Sequence, residues 1–267
     1  MRLLLFPGVF KPHSDSFMLA DQLRCESLRP DAAVLDLCTG SGLLAIVAAR
    51  GGARRVVAVD ISRRAVFAAR LNAKLNGVNV HAVRGDLFRP VRGQRFDLIL
   101  ANPPYVPSVG TEFPAHGASR AWEAGPDGRA FVDRICAEAA PHLTDAGVLL
   151  LVHSSICSEQ ATVQALASHG FDVRIIARRR GPLGRRMRAR APMLRARGLL
   201  PGGDSEDLVI IRAERAPGSA PAFSVPDHST AQTSAGAFFE QRDRQQLSVD
   251  GAVTVESARI SLKNLGG

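Results

Sequence analysis

Short apolar-rich runs alternate along this chain with stretches whose apolar residues recur at helical spacing. The runs at 33–37, 55–59, 80–84, 96–101, 147–152 and 171–177 have the length and composition of buried strands. Between them, 43–50, 62–76, 127–143 and 158–169 read as helices, and 16–28 reads as a helix leading into the first strand. The 62–76 stretch is the clearest, with Ala65, Val66, Ala69, Leu71 and Leu75 on one side, Ser62 placed to cap it and Gly77 to stop it. Asp127 is placed to cap 127–143, and 206–213 is expected to pair antiparallel with 171–177 at the sheet edge. This order predicts a three-layer, doubly wound, mostly parallel α/β sheet with an antiparallel edge strand.

The polar residues concentrate where those strands end. After 33–37 comes Cys38-Thr39-Gly40-Ser41-Gly42, whose glycines let the backbone turn sharply and approach a ligand in front of a helix N-terminus. Strand 55–59 ends in Asp60, near the spacing at which a carboxylate accepts ribose hydroxyls, and the next ends in Gly85-Asp86-Leu87. Strand 96–101 ends in Asn102-Pro103-Pro104-Tyr105. Ligands of open α/β sheets sit outside the strand C-termini, so four such ends in succession describe one site.

The Asn-Pro-Pro-Tyr segment carries the chemistry. Neither proline has an N–H, so the chain there accepts hydrogen bonds without extending a ladder. The Asn102 side-chain oxygen and the Pro103 carbonyl can together hold both hydrogens of a planar –NH2 group, with Pro104 and Tyr105 against its flat face. That grip suits a side-chain amide and equally the N6 amine of adenine.

With these residues in view, the chain resembles class I S-adenosylmethionine-dependent methyltransferases over about residues 6–213, and within them the HemK/PrmC-type glutamine methyltransferases of translation release factors. It is most similar to the short archaeal and eukaryotic branch. The match runs through the opening segment Val9-Phe10-Lys11-Pro12-His13-Ser14-Asp15-Ser16-Phe17-Met18-Leu19, then His116-Gly117, Ala121-Trp122-Glu123-Ala124-Gly125 and Gly128-Arg129. Phe10 stands where that branch has Tyr, Cys38 where it has Gly, and Asp36 where Glu is frequent. The resemblance implies S-adenosylmethionine as cofactor, contacted by Asp36 and Cys38, with Gly40 and Gly42 at its methionyl part, Asp60 at the ribose, and Asp86 with Leu87 at the adenine. Phe10 and Ser16 would cover it, Asn102 would border both ligands, and a release factor would be the protein substrate. Relatives in this branch act on several acceptors, lysine included, and some work with a small partner subunit.

Composition adds two further regions. Nine arginines (178, 179, 180, 185, 186, 188, 190, 195 and 197) and no acidic residue lie between 178 and 197; their charge equals the +9 of the whole chain. Two readings stand side by side: an electrostatic handle for RNA, the ribosome or an acidic partner, and a solvated helix whose apolar side (Met187, Ala191, Leu194) packs on the sheet. The methyltransferase domain is expected to span 1–214, and 215–267 to form a linker and weakly ordered tail, with a short strand pair within 246–265.

Trp122, the only tryptophan, reads either as an anchor for its loop or, with Phe113 and His116, as a clamp on an extended peptide. His13, His116 and His153 read as surface or core residues. The four cysteines lack Cys/His pairing, so no metal is expected, and no run is long enough to cross a bilayer; a cytoplasmic setting fits. A nucleic-acid adenine methyltransferase and a non-catalytic cofactor-binding protein are the competing functions, and the intact Asn-Pro-Pro-Tyr argues against the second.

Overall fold

The computed structural model describes residues 1–110 and 121–215. The loop residues Phe113, His116 and Gly117 and the segment 216–267, with the strand pair expected at 246–265, lie outside them.

Seven strands form one sheet in the order β3-β2-β1-β4-β5-β7-β6. They are β1 Ala33–Leu37, β2 Arg55–Asp60, β3 His81–Arg84, β4 Phe96–Ala101, β5 Leu143–Ser154, β6 Phe171–Pro182 and β7 Ser205–Arg215. Alternation at period two sends successive residues to opposite faces. Leu35, Leu37, Val57, Val59, Ile99, Leu149 and Leu151 pack with Val132, Ile135 and Leu166 from α4 (Ala130–Glu138) and α5 (Glu159–Ser168). Val34, Val56, Ala58, Leu98, Leu100 and Leu150 face Met18, Leu19, Leu44, Val47 and Val66 from α1 (Ser14–Cys25), α2 (Leu43–Arg50) and α3 (Arg63–Leu75). Two apolar layers on one sheet make the three-layer sandwich.

Ser62 caps α3 by accepting from Ala65 N, and Gly77 ends it at φ +65°. Helix α1 begins at Ser14, earlier than expected, because the buried Asp15 satisfies the first-turn N–H of Ser16. The helix expected at 127–143 is confined to α4. Asp127 Oδ1 accepts Arg129 N (2.9 Å), forming a turn before the helix instead of its cap, and Pro141 lies in a 3-10 turn, Ala140–His142.

The sheet reverses at β7, which is antiparallel to both β5 and β6. The antiparallel strand therefore sits one place in from the edge, and β6 is the edge. Burial decides this: Val209, Ile210, Ile211 and Ala213 of β7 are completely buried, whereas Arg174, Ile175 and Arg178 to Arg180 of β6 are exposed. Strand β6 also runs on past Ala177, because Arg178, Arg179 and Arg180 pair with Val209, Leu208 and Asp207 of β7. A run of arginines has no apolar alternation, so the extension left no pattern in the sequence.

The rest of the arginine segment forms two short helices, α6 (Arg185–Ala189) and α7 (Ala191–Ala196), inserted between β6 and β7. Met187, Ala191 and Leu194 are buried as expected, but away from the sheet faces. They form a third apolar cluster with Val106, Ile156, Leu183 and Leu200, and Tyr105 and Trp122 pack against it. Leu183 N bonds Asp204 O (2.8 Å) at the base of the insertion, and the Glu206 carboxylate ties Gly184 N to Ser154 Oγ. The insertion thus roofs the strand C-termini.

Candidate active site

The turn after β1 is wound tightly. Cys38, Gly40 and Gly42 have φ of +57°, +53° and +84°. A Cβ on Gly42 would lie 2.9 Å from Ala69 Cα, so α3 packs where only glycine fits. Cys38 takes the left-handed conformation with a side chain attached, which costs about 1–2 kcal/mol. Phe10 lies beside Gly40: a Cβ there would be 3.7 Å from both the Phe10 Cβ and its carbonyl oxygen. The Phe10 ring stands edge-on to His13, 5.6 Å between centroids.

Asp36 and Asp60 shape this turn from below and beside it. Asp36 is fully buried; its Oδ2 accepts Thr39 Oγ1 (2.5 Å) and Ala45 N (3.1 Å), while Oδ1 has no partner. Burial raises its pKa to about 7, against the Thr39 and Ala45 hydrogen bonds that lower it. A buried carboxylate oxygen without a donor beneath a glycine turn fits an ammonium group, such as that of a methionyl ligand. Asp60 Oδ2 accepts Gly40 N and Oδ1 accepts Ser62 N, both at 2.9 Å.

At the end of β3 the geometry redistributes the expected roles. Both Asp86 oxygens are engaged by Arg134 of α4 (3.0 and 2.8 Å), and the Leu87 side chain is buried in the core. A ligand at this position would therefore meet the turn through its backbone. Gly85 is obligatory there, since a Cβ would sit 2.3 Å from the Pro90 ring.

The Asn-Pro-Pro-Tyr segment is held by residues of α1. Asn102 Nδ2 donates to Ser16 Oγ (3.0 Å), Ser16 Oγ donates to Asp15 Oδ1 (3.1 Å), and the Tyr105 hydroxyl donates to Asp15 Oδ2 (2.8 Å). This fixes the Asn102 amide through one N–H of its nitrogen and leaves its oxygen as an acceptor. Burial, then the adjacent Asp15 carboxylate, push the Tyr105 pKa well above the usual phenol range. Tyr105 therefore stays protonated and orients Asp15 rather than removing a proton. The sequence reading gave Asp15 no role; the available signal was an acidic residue in the first turn of a helix whose next residue, Ser16, was already a site candidate.

A second strap closes over Tyr105. Val106 N donates to Trp122 O (2.8 Å) and Ala124 N to Val106 O (3.0 Å). A Cβ on Gly128 would lie 2.4 Å from Tyr105 O, and Cys157 Sγ donates to that same oxygen at 3.0 Å. Arg129, nearly buried, binds Ser158 O (2.9 Å) and Thr162 Oγ1 (3.0 Å), bolting the strap to α5. Trp122 is half-buried beside Tyr105, with the Arg186 guanidinium stacked 3.9 Å from its ring centroid. Its ring packs against the third apolar cluster beside Tyr105.

Comparison with known proteins supports the same reading. Residues 2–117 match the methyltransferase small domain family. A Methanocaldococcus jannaschii chain named as a protein N5-glutamine methyltransferase is 39% identical over 182 residues, spanning 68% of this chain and 90% of that one. The release factor glutamine methyltransferase of Mycolicibacterium smegmatis is 36% identical over 179 residues, but only 63% of its length is spanned. Among solved structures, the E. cuniculi Mtq2-Trm112 complex, responsible for methylation of the eRF1 translation termination factor, superposes with TM-score 0.53 at 23% identity. The match covers 78% of this chain and 99% of that one. At that identity the likeness speaks for the fold.

Proposed function

The chain belongs to the protein N5-glutamine methyltransferase family of S-adenosylmethionine-dependent enzymes, and from that premise we propose that it methylates the side-chain amide of a glutamine in a Gly-Gly-Gln segment of a release factor. The observation that carries this reading is the tethered Asn102 amide: its nitrogen donates to Ser16, which leaves its oxygen as an acceptor, and the Pro103 carbonyl that follows would be the second. A primary amide nitrogen is a poor nucleophile because its lone pair is delocalised into the carbonyl. Two fixed acceptors bind its two hydrogens and favour the pyramidal, positively charged nitrogen of the transition state over the planar ground state. Bound cofactor supplies an electrophilic methyl on its sulfonium. Asp36, Gly40 and Gly42 would hold its methionyl part, Asp60 its ribose and the 85–87 turn its adenine, with Phe10 and Ser16 above. Alignment for in-line transfer then provides most of the rate. Pro104, Tyr105 and Trp122 would pack on the acceptor and exclude water.

Two partners follow from the same reading. Arg179 and Arg185 are exposed and pair with no described residue, and with Arg180 and Arg188 they form an outward basic strip, the handle for ribosomal RNA or an acidic factor. A small partner subunit would cover the exposed Leu4, Leu5, Phe67 and Leu75 along the N-terminal segment and α3. No helix among the described residues is long and apolar enough to cross a membrane, and a translation substrate places the work in the cytoplasm.

The test is incubation with labelled cofactor and three acceptors: a purified release factor, total ribosomal RNA and duplex DNA. One added methyl on the Gly-Gly-Gln glutamine is expected by mass spectrometry. Label in adenine would overturn the substrate and favour the nucleic-acid reading, while no transfer to any acceptor would favour a non-catalytic binding protein.

A further inference from the structure

The inserted α6–α7 element does more than roof the site. Three of its arginines are spent on structure. Arg190 pairs with Glu123, Arg195 with Asp204 (2.5 Å), and Arg197 donates to the carbonyls of Ser108 (2.7 Å), Pro126 (2.9 Å) and Val109 (2.9 Å). The first and last of these lock the insertion onto the strap that follows Tyr105. Arg186 differs. It is half-buried, its neighbour Met187 is 3% exposed, and its guanidinium carbon lies over the Trp122 ring, 3.9 Å from the centroid. Among the described residues its N–H groups reach no acceptor. Burial and the neighbouring Arg190 and Arg185 disfavour its charge, while Tyr105 and Asp15 lie near enough to favour it.

A guanidinium held over an indole by cation–π attraction keeps N–H donors available, and two of them can converge on the two lone pairs of one carbonyl oxygen. We propose that Arg186 is a substrate-positioning residue, gripping a main-chain carbonyl of the acceptor peptide next to the glutamine and so setting the glutamine over Asn102. The proposal rests on the glutamine reading above. A glycine-rich peptide fits this grip because it brings carbonyl oxygens close without side chains between. The insertion would thereby act as a specificity element, separate from the residues that hold the cofactor.

The test uses the full chain and a synthetic Gly-Gly-Gln peptide. Arg186→Ala should raise KM for the peptide about tenfold, the worth of one bidentate charge-assisted contact, with kcat within about twofold. Arg186→Lys, which keeps the charge but loses the planar donor fork, should not rescue it. Arg174→Ala, an exposed arginine of β6 outside the insertion and the basic strip, should behave as wild type. Trp122, the only tryptophan, gives a second readout: peptide should change its fluorescence in wild type and much less in Arg186→Ala. Replacing the glycine–glutamine amide of the peptide by an ester weakens that carbonyl as an acceptor, and should cost wild type more than Arg186→Ala. Equal ester penalties, or an unchanged KM in Arg186→Ala, would overturn the proposal. A wild type inert towards the peptide would instead overturn the glutamine reading.

Discussion

The two halves of the site are built in opposite ways. At the β1 and β2 turns of the cofactor side, polar partners are close in sequence: Asp36 bonds residues 3 and 9 positions on, and Asp60 reaches back 20 to Gly40, whereas Asp86 at the β3 turn is held by Arg134, 48 positions on. On the acceptor side, Asn102 is tied to a residue 86 positions away, Tyr105 to one 90 away, and Glu123 to one 67 away. The first is chiefly a property of the β1 and β2 turns, the second of tertiary packing. Such a division lets acceptor specificity change through α1 and the inserted helices while the cofactor turns stay as they are.

If the division is real, damage to one half should spare the other. The largest effect is expected at Asn102. Asn102→Ala should lower kcat by roughly a hundred- to a thousandfold, as loss of a preorganised transition-state contact does, with cofactor affinity within a few-fold. Isothermal calorimetry beside single-turnover kinetics measures both, and a variant retaining most of its kcat would end the assignment. Asp15→Ala comes next. It frees the Ser16 and Tyr105 hydroxyls and unlocks the Asn102 amide, so kcat should fall between about ten- and a hundredfold, again without loss of cofactor. A parallel loss of cofactor affinity would show that α1 serves both halves.

These two residues also mark how far the sequence could be read. The sheet, its layers and the glycine turn were legible because burial alternates at period two, and because Gly40 and Gly42 sit at a strand-to-helix junction. Asn102 was legible because two prolines isolate it. Asp15 gave only its position in a helix that the reading began one residue later. The Asp86–Arg134 pair and the Arg186–Trp122 stack join elements distant along the chain, and no local pattern announces them. The α6–α7 insertion was seen as charge, but its apolar residues were assigned to the sheet because nothing in sequence marks the third cluster.

On the cofactor side, Asp60→Ala should cost on the order of 1.5–3 kcal/mol of cofactor binding, more than tenfold, with kcat at saturation little changed. Unchanged affinity would remove Asp60 from the site. A smaller effect is expected from pH. With a folded pKa of about 7, above the usual carboxylate value, Asp36 contributes stability that is full below the unfolded pKa and is lost as pH rises through about 7. A ligand ammonium favours the ionised carboxylate, so cofactor affinity should rise about tenfold from pH 6 to pH 8. Asp36→Asn should flatten both profiles; a slope that persists in the variant belongs to another group.

The smallest effect tests whether the cofactor turn is a matter of backbone alone. Cys38 sits at φ +57°, where a side chain is unfavourable and glycine is not. Cys38→Gly relieves that strain in the folded state but frees the unfolded chain, and the two terms oppose each other. The strain is about 1–2 kcal/mol and the added unfolded-state entropy about 0.4–1 kcal/mol, so a net gain between about 0 and 1.6 kcal/mol is expected. Urea unfolding of the cofactor-free protein should show it as a raised midpoint with an unchanged slope. Peptide KM and kcat should not move, because the turn shares no hydrogen bond with Asp15, Ser16 or Asn102. A destabilised Cys38→Gly would mean that the thiol, packed against the core beneath β1, contributes more by contact than its backbone costs.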